Sequence, residues 1–369
     1  MATFVGFGFG PIQASIYLYE AARSERFDRL VVVDVDPVLI AALRAADGCF
    51  HLNIAEPDGV RVETVRGIEI LNLTDPADQP RLRQALADAA EIATALPSVD
   101  FYGRGTPSVA GLLAECCAPG TLIHTAENHR DAAQNLAQAM GAVPEGVAIV
   151  DSVIGKMSSV VSGSADLAAM VPGLDRAFLV EAFNRILISA VPAGITRRID
   201  AFIEKSEIGP FEDAKLYGHN AIHAMLGYMA HARGYSAMSE LADDCELRKI
   251  GRVAFTDECG AGLIARHAGC DPLFTPAGIA DYADDLLPRM LNPYLRDPVA
   301  RVIRDPRRKL GWDDRLIGAM RLALAAGVQP IHLASSAAFA RGMLDEPLAS
   351  IWGGSAPTAE AAELLALIG

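Results

Sequence analysis

Thr3-Phe4-Val5 runs straight into Gly6-Phe7-Gly8-Phe9-Gly10-Pro11, and a stretch of helical character over residues 12–23 follows at once. A short apolar run that ends on glycines and turns into a helix reads as the opening of a βαβ unit. The alternation continues: residues 30–33 (Leu-Val-Val-Val) read as a strand, residues 37–46 as a helix, and residues 121–125 and 147–150 as later strands of the same sheet. Strands separated by helical segments predict a parallel sheet with helices on both faces. Residues 60–73 read as an inserted pair of strands. From about Ile195 apolar residues recur at helical spacing, as in Ile222, Leu226 and Met229 or Leu316, Met320 and Leu324. The expected architecture is therefore α/β: an N-terminal Rossmann-like doubly wound parallel sheet over residues 1–194, followed by a mostly α-helical C-terminal domain over residues 195–369.

Composition narrows the function classes. Lys and Arg total 32 against 46 Asp and Glu, a formal charge of −14, which disfavours nucleic acid as a partner because phosphate neutralisation needs basic residues. No apolar run approaches the ~20 residues of a membrane helix. Met1-Ala2-Thr3-Phe4-Val5 lacks the basic start of a signal peptide, and the six cysteines (49, 116, 117, 245, 259 and 270) form no C-x-x-C pair. The expectation is a reduced, cytoplasmic protein.

The glycine turn can be read as G-x-G-x-x-G from Gly6 or from Gly8, and either way the third glycine is missing: position 11 is Pro and position 13 is Gln. Such a turn brings backbone N–H groups to a pyrophosphate at a helix N-terminus. Asp34 closes the second strand, 24 residues after Gly10, where an acidic residue hydrogen-bonds ribose hydroxyls and repels a 2′-phosphate. Asp34 could instead cap the next helix, but Asp36, directly before Pro37, suits that role better. These residues predict NAD as cofactor, held by Gly8, Phe9, Gly10, Pro11, Ile12 and Asp34.

The most informative later stretch is Lys215-Leu216-Tyr217-Gly218-His219-Asn220-Ala221-Ile222-His223. At about 100° per residue, Asn220 lies ~140° and His223 ~80° around a helix from Lys215, so one face can present an amine, an amide and an imidazole. Hydride transfer from an alcohol needs a base for the hydroxyl proton and donors for the developing alkoxide. A lysine of lowered pKa can be that base and Asn and His the donors. The plain alternative is a polar helix face. His219 reads as a neighbour of this group rather than a participant.

Lys215-x4-Asn220-x2-His223 resembles the signature of the polyol-specific long-chain dehydrogenases, the family of mannitol-1-phosphate 5-dehydrogenase and mannitol 2-dehydrogenase. Asp34-Val35-Asp36, residues 58–72, Glu127-Asn128, Asp151-Ser152, Asn292-Pro293-Tyr294-Leu295-x-Asp297, residues 301–310 and Asp313-Asp314-Arg315-Leu316 resemble blocks of that family in the same order. The resemblance implies that Lys215 is the general acid/base, that Asn220 and His223 form the oxyanion-stabilising pair, and that Asn128 holds the reacting oxygen. It also implies that Arg301 and Lys309 contact the distal end of the substrate; eight positions apart, they lie ~80° apart if the stretch is one helix. No metal is implied, since the lysine takes the part of zinc, and Cys259-x7-His267-x2-Cys270 reads as structural because a fourth ligand is missing. The implied reaction interconverts a polyol, in the short branch a sugar-alcohol phosphate such as mannitol 1-phosphate, and the matching ketose, in a monomer or homodimer. Free polyols or sugar acids as substrates, and a non-catalytic nucleotide or sugar-phosphate sensor, are the alternatives. The chain departs from the family pattern at Gly155-Lys156-Met157, where the family has Asp-Arg-Ile, and at Leu96-Pro97-Ser98-Val99, where it has a more glycine-rich turn.

Overall fold

The computed structural model describes residues 2–353 and 358–369; Met1, the first residue of the N-terminus expected not to be a signal peptide, lies outside the described residues. The chain divides into two compact units, Met1–Ile208 and Gly209–Gly369.

Among the described residues, twelve strands occupy the first unit: β1 (Thr3–Phe7), β2 (Arg29–Asp34), β3 (Phe50–Glu56), β4 (Gly59–Val65), β5 (Ile68–Asn72), β6 (Ala89–Thr94), β7 (Leu122–Thr125), β8 (Ala148–Val153), β9 (Ser158–Ser162), β10 (Arg176–Glu181), β11 (Ile186–Ser189) and β12 (Phe202–Lys205). Eight of them form one sheet in the order β12-β11-β8-β7-β6-β1-β2-β5. Its six strands from β5 to β8 are all parallel and, counted in chain order, follow the 3-2-1-4-5-6 sequence of a Rossmann fold. The order reverses at β1, whose C-terminal end carries the glycine turn.

Why the strands run apolar without alternation is plain from their burial. Phe4 and Val32 face one core with Tyr17, Leu43 and Ile70, whereas Val5, Val31 and Val33 face the other with Leu82, Leu113 and Leu136. A parallel sheet covered on both faces needs apolar side chains at every position.

Residues 60–73 are not an inserted pair. Gly59–Val65 pairs with the strand before it, Phe50–Glu56, in a second sheet of order β4-β3-β10-β9. Ile68–Asn72 instead runs parallel to β2, with Leu30 opposite Ile68 and Asp34 opposite Asn72. The divide expected at 194/195 precedes β12, which pairs in parallel with β11; the first compact unit therefore continues to Ile208.

The second unit is helical among its described residues. Its helix Asn220–Ala232 approaches the short helix Val299–Val302 closely enough that a Cβ added at Gly227 would lie 2.5 Å from Val302 Cγ1. Tyr228 Oη donates to Ile303 O at 3.2 Å beside this contact. Because overpacking typically costs ~1–3 kcal/mol, Gly227→Leu is expected to destabilise the protein by about that amount. A shift in the urea midpoint with unchanged slope would be the measure, and an unaltered midpoint would contradict the close approach.

Candidate active site

In the first unit, the turn after β1 is built around Gly8, whose φ of +82° suits glycine; a Cβ there would also stand 2.8 Å from Ala95 O. Gly8 N donates to Val33 O at 2.8 Å, and Phe9 N donates to Asp34 Oδ2 at 2.7 Å. Asp34 Oδ1 accepts from Val35 N at 2.7 Å and Asp36 N at 2.9 Å. An ionised carboxylate has about four acceptor sites, so three bonds fix this one at the end of β2 and leave room for one more donor. Asp36 caps the next helix through Val38 N and Leu39 N.

Gly10 has nothing within 4 Å of where a Cβ would stand, so its backbone is open to a close approach. Pro11 and Ile12 start the helix, which continues as a π-helical segment over Gln13–Leu18. Gln13, in place of the third glycine, is buried, and its amide carbon would lie 2.6 Å from a Cβ at Gly6. Gly6 thus serves packing against this side chain. The turn and carboxylate together fit a dinucleotide.

Beyond the turn, Glu127 gathers the loops at the ends of β6 and β7. Its carboxylate accepts from Thr94 Oγ1 at 3.0 Å, Leu96 N at 2.8 Å, Ala126 N at 3.1 Å and Tyr102 Oη. Asn128, the next residue, is exposed in this unit.

In the second unit, Lys215 and Asn220 are related by a π turn. Ala214–His219 is π-helical, and Asn220 N donates to Lys215 O, a bond that closes at i→i+5. Such a turn brings Asn220 further round toward the side of Lys215 than the ~140° separation that the α-helical count expects. His223 follows three residues later on Asn220–Ala232.

His223 Nε2 lies 3.0 Å from Asp297 Oδ2, and Arg301 Nε donates to the other oxygen of Asp297 at 2.8 Å. Burial works to raise the Asp297 pKa, but its bonds to His223 and Arg301 outweigh that and hold it below the usual value. Lys215 is pushed down to about 8, first by burial and then by the charge of Arg315. Lys309 is buried, donates to Arg304 O, and is likewise pushed down to about 8 by burial, Arg315 and Arg308. Burial, His223, Arg289, Lys215 and Arg315 together drive the His219 pKa well down.

Arg301 and Lys309 do not share a helix. Val299–Val302 and Pro306–Lys309 are separate short helices, and Asp305 between them has a φ of +60°. Elsewhere, His267 Nε2 lies 2.9 Å from Asp213 Oδ2, and Cys259 is buried while Cys270 is exposed. No group of three or more His, Cys, Asp or Glu that could hold a metal occurs among the described residues.

The structure therefore joins Lys215, Asn220, His223 and Arg301 in one neighbourhood, and adds Asp297 and Arg315, to which the sequence alone assigns no role. Asp297 lies 74 positions from His223 and Arg315 lies 100 from Lys215. Their only signal in the sequence is the company of other polar residues in the blocks that carry them.

Residues 207–344 match the model of the mannitol dehydrogenase C-terminal domain. The matched stretch covers most of the second unit, Gly209–Gly369. Mannitol-1-phosphate 5-dehydrogenase of Halalkalibacterium halodurans is 33% identical over 144 residues, 38% of this chain and 37% of that protein. The enzyme of the same name from Clostridium acetobutylicum is 36% identical over 121 residues, 33% of this chain and 29% of that protein. The matched stretches thus span 29–37% of these relatives' length.

Two solved structures share the fold over nearly the whole chain. A D-sorbitol dehydrogenase in substrate-free form superposes with a TM-score of 0.73 at 15% identity, covering 99% of this chain and 85% of that one. Pseudomonas fluorescens mannitol 2-dehydrogenase, in ternary complex with NAD and D-mannitol, gives 0.71 at 14% identity, covering 100% and 90%. The stretch that matches the mannitol dehydrogenase C-terminal domain model holds all of Lys215, Asn220, His223, Arg301 and Lys309.

Proposed function

We propose that the protein is an NAD-dependent, metal-independent dehydrogenase that interconverts a polyol phosphate, of the mannitol 1-phosphate type, and the matching ketose phosphate. The observation that carries this reading is the Lys215 amine, held near a pKa of about 8 and joined through its backbone oxygen to Asn220 N by a π turn. A base for a hydroxyl proton needs a pKa near the working pH, and a lysine on an ordinary polar surface sits near 10.4. NAD supplies the hydride acceptor, and Gly8, Phe9, Gly10, Pro11, Ile12 and Asp34 would hold it.

In oxidation, neutral Lys215 takes the hydroxyl proton while the carbon gives up hydride. The Asn220 amide donates to the oxygen as negative charge develops there; in the first unit, Asn128 is assigned to substrate binding. In reduction, protonated Lys215 returns the proton. An anionic substrate end is supported by Arg301, whose side chain is 42% exposed and whose Nε alone is bound to Asp297, and by the charges of Arg315 and Lys309. In a chain of net charge −14, such a basic cluster is suited to a phosphate.

A screen for NAD reduction across polyol phosphates, free polyols and sugar acids, run with EDTA present, tests this reading. Turnover of a polyol phosphate is expected. Turnover only of free polyols or sugar acids would replace the substrate, and cofactor binding without turnover would favour a sensor. With the best substrate, kcat/KM should favour NAD over NADP, and Asp34→Ser should narrow that preference by removing the repulsion of a 2′-phosphate. A wild-type preference for NADP would overturn the cofactor assignment.

A further inference from the structure

We propose that Asp297 is a positioning residue that locks His223 in the Nε2–H tautomer, so that neutral His223 turns an unprotonated Nδ1 toward the substrate and accepts a hydrogen bond from one of its hydroxyls. This rests on the dehydrogenase reading above, and it reverses the polarity expected of His223 as an alkoxide donor.

Asp297 is 7% exposed. Its backbone oxygen accepts from Met238 N at 2.9 Å, and Ala237 bridges to Pro298, so the residue is tied on both sides. Arg296 before it takes a φ of +51°, a left-handed conformation unfavourable for a residue with a side chain, which redirects the chain between the preceding turn and Asp297. The carboxylate so fixed has one oxygen on Arg301 Nε and the other on His223 Nε2.

An ionised carboxylate only accepts hydrogen bonds. At 3.0 Å the His223 Nε2 must therefore carry a proton, because a bare nitrogen lone pair would face the carboxylate lone pair. In neutral imidazole the other nitrogen, Nδ1, is then the acceptor. His223 Nδ1 makes no hydrogen bond to the described residues, and the ring is 17% exposed. A polyol offers a hydroxyl donor beside every carbon, which suits such an acceptor. Asp297 also ties Arg301 to the imidazole, so one carboxylate orients both side chains.

The test is Asp297→Asn. The amide oxygen can still accept from Arg301, but the NH2 group donates to Nε2 and drives the His223 proton onto Nδ1. Nitrogen-15 NMR of labelled protein without substrate reports which ring nitrogen is protonated, with His223→Gln identifying the signals, at a pH above the ring's own titration. Wild type should show protonated Nε2 and Asp297→Asn protonated Nδ1. In kinetics, the variant should lose about 10²–10⁴-fold in kcat/KM, the scale on which a wrong histidine tautomer acts elsewhere, with a thermal midpoint within a few degrees of wild type. Asp297→Glu, which restores the carboxylate, should recover part of the loss.

Protonated Nδ1 in wild type, or an unchanged tautomer in Asp297→Asn, overturns the inference. So does a rate loss that only tracks a fallen thermal midpoint. The NMR result stands apart from catalysis: if no substrate is turned over, the function reading fails while the tautomer is still decided.

Discussion

Lys215→Ala is expected to lower kcat for alcohol oxidation by about 10²–10⁴-fold, the usual worth of a positioned general base, while NADH affinity changes little. Lys215→Arg should be nearly as slow, because a guanidinium keeps the positive charge but does not give up its proton. The wild-type pH profile follows from the pKa of about 8. Oxidation needs the neutral amine, so its rate should rise with pH and level off above about 8. Carbonyl reduction needs the ammonium and should fall through the same range. Arg315→Gln removes one of the charges that disfavour the ammonium, so the inflection should move to higher pH. Asn220→Ala combined with Lys215→Ala should cost less than the sum of the two, as for groups that act together. Stopped-flow and steady-state rates across pH 6–10 would decide the matter, that range being chosen to span about two units either side of the amine's titration. Near-normal turnover by Lys215→Ala on the best substrate would remove the mechanism.

Glu91→Ala is expected to be the most damaging single change to stability in the first unit. Glu91 on β6 and His124 on β7 are both fully buried. Glu91 Oε2 lies 3.0 Å from His124 Nε2, and Oε1 accepts from Arg198 N and, at 3.3 Å, from Ile199 N. One carboxylate thus satisfies two backbone donors and an imidazole, and fastens the segment before β12 to the parallel sheet. Removing it leaves groups unpaired at about 1–3 kcal/mol each, so a loss of roughly 3–5 kcal/mol is expected. For a unit of this size that is a drop of roughly 6–20 °C in thermal midpoint. Glu91→Gln, whose amide can still accept from the two backbone groups and donate to His124, should lose far less. Equal midpoints for the Ala and Gln variants would show that the carboxylate does not organise this segment.

What the sequence alone determines here is local. Strands that must be buried on both faces need unbroken apolar runs, so Thr3–Phe7 and Leu30–Val33 are legible, and the alternation with helices sets the doubly wound sheet. The glycine turn is equally legible, since the positive φ of Gly8 is a demand of the backbone at that residue. Asp36 as helix cap follows from its adjacency to Pro37. Strand partners are another matter, because pairing is chosen among distant segments: Ile68–Asn72 goes to β2 rather than to its hairpin neighbour, and Phe202–Lys205 extends the sheet past the change in periodicity.

In the candidate active site the same division holds. Lys215, Asn220 and His223 are close in the chain, so their grouping can be read from spacing. Their angles cannot, because a turn closing at i→i+5 breaks the 100° count and only the packed helix decides where the ladder shifts. Asp297 and Arg315 reach the site from 74 and 100 positions beyond His223 and Lys215 respectively. Long-range contacts of this kind depend on helices docked by close approaches such as Gly227 on Val302. The tertiary structure also decided protonation: burial and a neighbouring guanidinium bring Lys215 into the working range, and one anchored carboxylate places the proton on His223. Desolvation and charge proximity are properties of folded space, and a linear chain does not contain them.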